Sequence, residues 1–95
     1  MRYNDQLVWY LLAGTRGGKN RAKILLALRT RPYNAHQLSI VLNLDYKTVR
    51  HHLKILLENN LITKIGRGDY GAAYGLSEYM TSNFNKFKEI WERMK

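Results

Sequence analysis

The sequence predicts a mainly α domain carrying one small β-hairpin. Three observations predict it. Apolar residues recur at helical spacing through most of the 95 residues. The pattern turns strand-like only over 61–65 and 72–76, on either side of a glycine-rich turn. The single proline, Pro32, and the group Gly14, Gly17 and Gly18 fall where the helical pattern stops. The length allows a single domain, 1–95, and is too short for a dinucleotide-binding enzyme, a (β/α)8 barrel or a kinase. A hydrophobic content of 45% argues against disorder.

The first element is an N-terminal helix within 1–14. Asp5 to Ala13 is apolar almost all round, with Leu7, Val8, Trp9, Tyr10, Leu11 and Leu12, and Asn4 or Asp5 is placed to cap it. Its apolar run of seven residues, Leu7 to Ala13, is far short of the roughly 20 that a membrane span needs. Gly14 ends this helix and Gly17-Gly18 reads as a loop. A second helix is expected from Asn20 to Leu28, with Ile24, Leu25 and Leu28 inward. Arg31-Pro32-Tyr33 breaks it.

The segment 34–59 reads as two helices joined by a tight turn. Asn34 and Gln37 form a capping pair, and Leu38, Val41 and Leu42 are expected to face inward. Asn43 suits a left-handed helix end. Asp45 then caps the next helix, whose apolar stripe is Val49, Leu53, Leu56 and Leu57. The segment 61–76 reads as a hairpin with Gly66-Arg67-Gly68-Asp69-Tyr70-Gly71 at its tip. Ser77 caps a last helix over 77–95. There Met80, Phe84, Phe87, Trp91 and Met94, spaced 4, 3, 4 and 3, form a coiled-coil-like seam.

Charge supplies the functional lead. Sixteen Lys and Arg stand against seven Asp and Glu, a net charge of +9. Residues 15–54 hold nine of the basic residues and one acid, Asp45. From Ser77 onward four basic residues meet three acids. A merely solubilising surface mixes both signs, as the C-terminal segment does; the concentrated excess points to a polyanion. No cysteine is present, which excludes disulfides, thiolate metal sites and a cysteine nucleophile, and fits a reducing cytoplasm.

A helix-turn-helix with a basic second helix, followed by a hairpin wing, answers that lead. In this arrangement the first helix rests on the DNA backbone and the second enters the major groove. Arg50 and Lys54, one turn apart, are candidate contacts to a base and a phosphate. Lys47, Thr48 and His51 lie on the same helix, and Tyr46 can stack or bond a phosphate. His36 and Gln37, at the start of the first helix, are candidate phosphate contacts, as is Arg67 at the wing tip. His52 falls beside the apolar stripe and reads as a hydrogen-bonded core histidine.

Other motifs fail their structural context. Gly66-x-Gly68-x-x-Gly71 sits between strands and does not open a helix. Gly14 to Lys19 is one residue short of a phosphate loop. His51 and His52 diverge by about 100° and cannot share a metal. Glu89 and Glu92 have no partner histidine nearby in the pattern. The sequence therefore predicts no enzyme, no cofactor and no metal site.

The stretch Asp45-Tyr46-Lys47-Thr48-Val49-Arg50-His51-His52-Leu53-Lys54-Ile55-Leu56, with Asn59-Asn60-Leu61-Ile62 after it, resembles the winged helix-turn-helix of ArsR-type transcription regulators. Thr48-Val49, His52-Leu53-Lys54 and Leu56 are the most telling matches, and the likeness runs from about Asn20 to Leu76. Asn43 and Ser39 replace the glycine and alanine usual in the turn. The resemblance implies a DNA-binding regulator, a repressor in sign, that acts as a homodimer. Metal sensing does not carry over, because this chain lacks the cysteines and the last-helix histidine it would need.

The first and last helices are the expected dimerisation elements, through Leu7, Tyr10, Leu11, Phe84, Phe87, Trp91 and Met94. A small-molecule effector has room where Trp9, Tyr10 and Trp91 would gather. The expected partners are thus double-stranded DNA and a second copy, without a membrane. Two alternatives stay open at this point: a chromosome-coating protein without sequence preference, and a protein-interaction module on the same fold.

Overall fold

Two capped helices and the turn between them set the frame. In the computed structural model, which describes residues 3–66 and 71–94, α3 spans Ala35–Leu42 and α4 spans Tyr46–Glu58. Asn34 Oδ1 accepts from the Gln37 N–H at 2.7 Å, and Gln37 Oε1 accepts from the Asn34 N–H at 2.9 Å, a complete capping box. Asn43 adopts φ 54, ψ 49, and the Asn43 and Leu44 amides return to the Ile40 and Ser39 carbonyls. This left-handed residue satisfies the end of α3 and reverses the chain within three residues. Asp45 accepts from the Lys47 and Thr48 amides at 3.0 and 3.4 Å, which starts α4.

Two further helices close the back. α1 spans Tyr3–Ala13 and α2 spans Gly18–Thr30. The first begins before Asn4 and Asp5, so neither is its cap. The second begins at Gly18 and not at Asn20, and at Gly18 its backbone lies close against that of α1. A Cβ there would fall 1.9 Å from the Leu12 carbonyl oxygen.

The strands form a three-stranded antiparallel sheet of order β1-β3-β2: Tyr33–Asn34, Ile62–Ile65 and Ala73–Leu76 in chain order. Tyr74 lies opposite Tyr33 on one side and Lys64 on the other, and Ala73 opposite Asn34 and Ile65. The strand β1 corrects the reading of 31–33 as a simple break. Pro32 holds Arg31 extended, at φ −171 and ψ 162, and the chain stays extended long enough to add two residues to the sheet.

The last helix is two helices. α5 spans Glu78–Ser82 and α6 spans Phe84–Met94. At Asn83 both the backbone N–H, at 3.0 Å, and the side-chain Nδ2, at 2.9 Å, donate to the Tyr79 carbonyl. The side chain thus competes for the carbonyl that a continuous helix would reserve for the backbone. Phe84 and Phe87 lie inward, edge to face at 5.0 Å, in one core with Leu12, Leu25, Leu53 and Met80. Val41 corrects a second reading. It is 55% exposed beside Ile40 at 66%, so α3 buries only Ala35 and Leu38 fully.

Candidate nucleic-acid interface

The open face of α4 is built by contrast with its buried face. Val49, His52, Leu53 and Leu56 are buried; Tyr46, Lys47, Arg50, His51 and Lys54 are exposed, and Thr48 is half-buried. Helical spacing sorts the exposed side chains into neighbouring rows: Tyr46 with Arg50, and Lys47 with His51 and Lys54. The Asp45 carboxylate at the head of the helix is committed to capping two amides.

The Tyr46–Arg50 row borders a cleft of about 790 Å³. His36 and Asn34 line it from the start of α3, Gly71, Ala72 and Tyr74 from the hairpin, and Arg50 and Tyr46 from α4. The structure therefore brings His36, Tyr46 and Arg50 of the expected contacts into one concavity. Lys47, His51 and Lys54 stand on the open ridge beside it. Gln37 is half-buried with its side-chain carbonyl engaged in the capping box, so as an acceptor it serves the fold. Arg67 lies outside the described residues. Asn34 and Tyr74 were not expected in the site. Asn34 was legible only as a cap, and nothing in a four-residue strand marks Tyr74 as a cleft wall.

Behind this face sits a buried polar cluster. Arg21 Nη1 lies 3.1 Å from His52 Nδ1, Arg21 Nε donates to the Leu11 carbonyl at 3.0 Å, and Nη2 donates to Thr15 Oγ1. An arginine always donates, so His52 Nδ1 accepts and the imidazole is neutral. Burial, then the Arg21 charge and His51, hold the His52 pKa down to about 4. Burial also lowers that of Arg21. His52 is thus part of the scaffold that carries the recognition face.

The residues expected to face a second copy divide. Phe84, Phe87 and Leu11 are buried in the chain's own core, which corrects their assignment to a partner surface. The reason is that α6 packs against α1 with its apolar side turned inward. Tyr10 is 59% exposed, and Trp91 and Met94 are half-buried against the core. The side chain of Leu7 lies outside the described residues. Among the described residues, no group of three or more His, Cys, Asp or Glu could hold a metal ion, and no helix is long and apolar enough to cross a membrane.

Comparison with known proteins fits this geometry. Residues 18–64 match the family described as bacterial regulatory protein, arsR family. No curated protein matches the chain. Among solved structures the fold is similar to wild-type MarR from E. coli, at 16% identity and a TM-score of 0.69, covering 92% of this chain and 67% of that one. It is similar to the reduced transcriptional regulator YodB from B. subtilis, at 18% identity and a TM-score of 0.68, covering 97% and 90%. It is also similar to Staphylococcus aureus MarR in complex with salicylate and kanamycin, at 17% identity and a TM-score of 0.57, covering 99% and 54%. These neighbours show the winged-helix fold, and the matched family consists of regulators and not enzymes. Residues 18–64 match the arsR-family helix-turn-helix, and that match together with the winged-helix neighbours supports a DNA-binding transcription regulator.

Proposed function

We propose that the chain is a sequence-specific regulator, a repressor in sign, that binds double-stranded DNA as a homodimer in the cytoplasm. The observation that carries this reading is the row of cations along the open face of α4, on a helix fixed at its head by Asp45. In this reading α4 enters the major groove. Arg50 donates to a base edge, Lys47 and Lys54 meet phosphates, and Thr48, His51 and Tyr46 add shorter contacts. His36 and the α3 start rest on the backbone, and the hairpin, through Arg67, reaches an adjacent phosphate or the minor groove. Tyr10, Trp91 and Met94, with Leu7, supply the surface for a second copy. The likeness to a MarR structure holding salicylate and kanamycin extends the reading to a small-molecule effector of this chain.

The test is a binding selection. Purified protein is mixed with fragmented DNA from its own source at near-physiological salt, and the retained fragments are sequenced. A shared inverted repeat is the expected result, with half-sites about one helical turn apart. Even retention of all fragments would replace the reading with a chromosome-coating protein. No retention would replace it with a partner-binding module.

A further inference from the structure

The loop between α1 and α2 meets the recognition helix through one glycine. A Cβ built on Gly17 would fall 2.6 Å from Cε1 of His52 and 2.8 Å from Nη1 of Arg21. The loop backbone therefore closes directly over the His52 ring. The His51 ring centroid lies 5.4 Å from that of His52. His52 is buried and His51 exposed; Gly17 is half-buried and Arg16 exposed. Arg16 and His51 are thus the exposed sequence neighbours of the two residues that meet, Gly17 and His52.

Helix geometry says which flank of α4 this close approach occupies. At about 100° per residue from Tyr46, Arg50 lies near 40°, Lys54 and Lys47 near 80–100°, His51 near 140° and His52 near 240°. The Tyr46–Arg50 edge borders the hairpin cleft, so the His51 edge, with Gly17 beyond it, is the opposite flank. The loop is held there. Thr15 Oγ1 donates to the Leu11 carbonyl at 3.0 Å and accepts from Arg21, which itself reaches His52. No acidic residue occurs between Asp5 and Asp45 in the sequence, so nothing along this stretch of chain offsets the charge.

We infer that Arg16 extends the basic face of α4 and contacts a DNA backbone phosphate on the flank opposite the hairpin wing. The inference rests on the reading of α4 as the DNA-binding helix. A guanidinium fork suits a phosphate, and an anchored loop presents it at little entropic cost. The wing and the loop then grip the two sides of the groove that α4 occupies.

The experiment measures affinity of the full chain for sheared genomic duplex DNA over a range of salt concentrations. It compares the wild type with Arg16→Gln, Arg16→Lys and, on α6, Lys88→Gln. Removing one phosphate contact from each subunit of the dimer should flatten the log–log slope by about 1.8. Arg16→Gln is expected to do so, Arg16→Lys to restore most of the slope, and Lys88→Gln to leave it unchanged. A wild type that binds with a slope unmoved by Arg16→Gln overturns the inference alone. A slope lowered equally by Arg16→Lys overturns the charge assignment. A wild type that does not bind DNA overturns the reading of α4 and this inference together.

Discussion

Arg21 Nη1 stands 3.1 Å from His52 Nδ1, and the two residues are only 4% and 5% exposed. This contact ties α2 to the back of the recognition helix. Through Arg21 Nε it also ties both to the Leu11 carbonyl near the end of α1. A buried pair of this kind requires His52 to stay neutral, because a second proton would turn its acceptor nitrogen into a donor facing a guanidinium that can only donate.

Acid should therefore destabilise the fold through His52. The unfolded chain takes up this proton near pH 6.5, and the native chain only near 4. Between those values the unfolded state binds more protons, so stability rises with pH across the window and falls as pH drops through it. Urea unfolding from pH 7 to 4, with the His52 ring signal followed by NMR, measures it. A His52 midpoint near 6.5 in the native protein would refute the buried-acceptor geometry.

Gly18 brings the start of α2 close to the backbone of α1. Alanine there would place a methyl 1.9 Å from the Leu12 carbonyl oxygen and 2.5 Å from its carbon, both of them backbone. Backbone yields poorly, so Gly18→Ala should lower stability by about 3 kcal/mol. Gly14→Ala meets its nearest atom at 3.1 Å and should cost far less. Thermal unfolding of the two variants compares them directly, and equal melting temperatures would contradict the close approach.

Much of the fold could be read from caps and stripes. Asn34, Asp45 and Ser77 each accept the backbone hydrogen bonds expected of them. His52 sits inside, as its place beside Val49 and Leu56 implied. What the sequence hid depends on tertiary context. The seam from Met80 to Met94 repeats at helical spacing whether the helix runs unbroken or stops at Asn83, where side chain and backbone both donate to the Tyr79 carbonyl. Strand β1 is two residues long, too short for a period of two to register. In the site, Arg50 and Lys54 could be read from one helix, whereas the partners of Arg50 across the cleft come from chain some 15 to 25 residues away on either side.

Arg50 and Lys54 should matter in different ways. Arg50 lines the cleft beside the hairpin, and Lys54 stands on the open ridge. Arg50→Ala is expected to weaken binding to the selected site by roughly 1–3 kcal/mol while affecting unrelated duplexes much less. Lys54→Ala should weaken all duplexes about equally and flatten the salt slope by about 1.8, the share of the two phosphates neutralised, one per subunit. Fluorescence anisotropy on a selected and a scrambled duplex separates the two. Identical effects on both duplexes for Arg50→Ala would remove it from base recognition.

A second copy would meet fewer side chains than the apolar seam suggests. With Phe84 and Phe87 turned into the core, the apolar surface left on the first and last helices among the described side chains is led by Tyr10, with Trp91 and Met94 partly covered beside the core. These helices pack against each other, so a partner would approach them as one face. An exposed aromatic at such a face is a candidate anchor, and removing an anchor costs about 2 kcal/mol or more, roughly a thirtyfold rise in dimer Kd. Tyr10→Glu should thus shift sedimentation equilibrium toward monomer without lowering the melting temperature of the monomer itself, since its side chain is 59% exposed. The same variant should bind an isolated half-site nearly as well as the parent and lose the added affinity of the paired site. If the parent protein sediments as a monomer at tens of micromolar, α4 acts singly and the inverted-repeat expectation goes with the dimer.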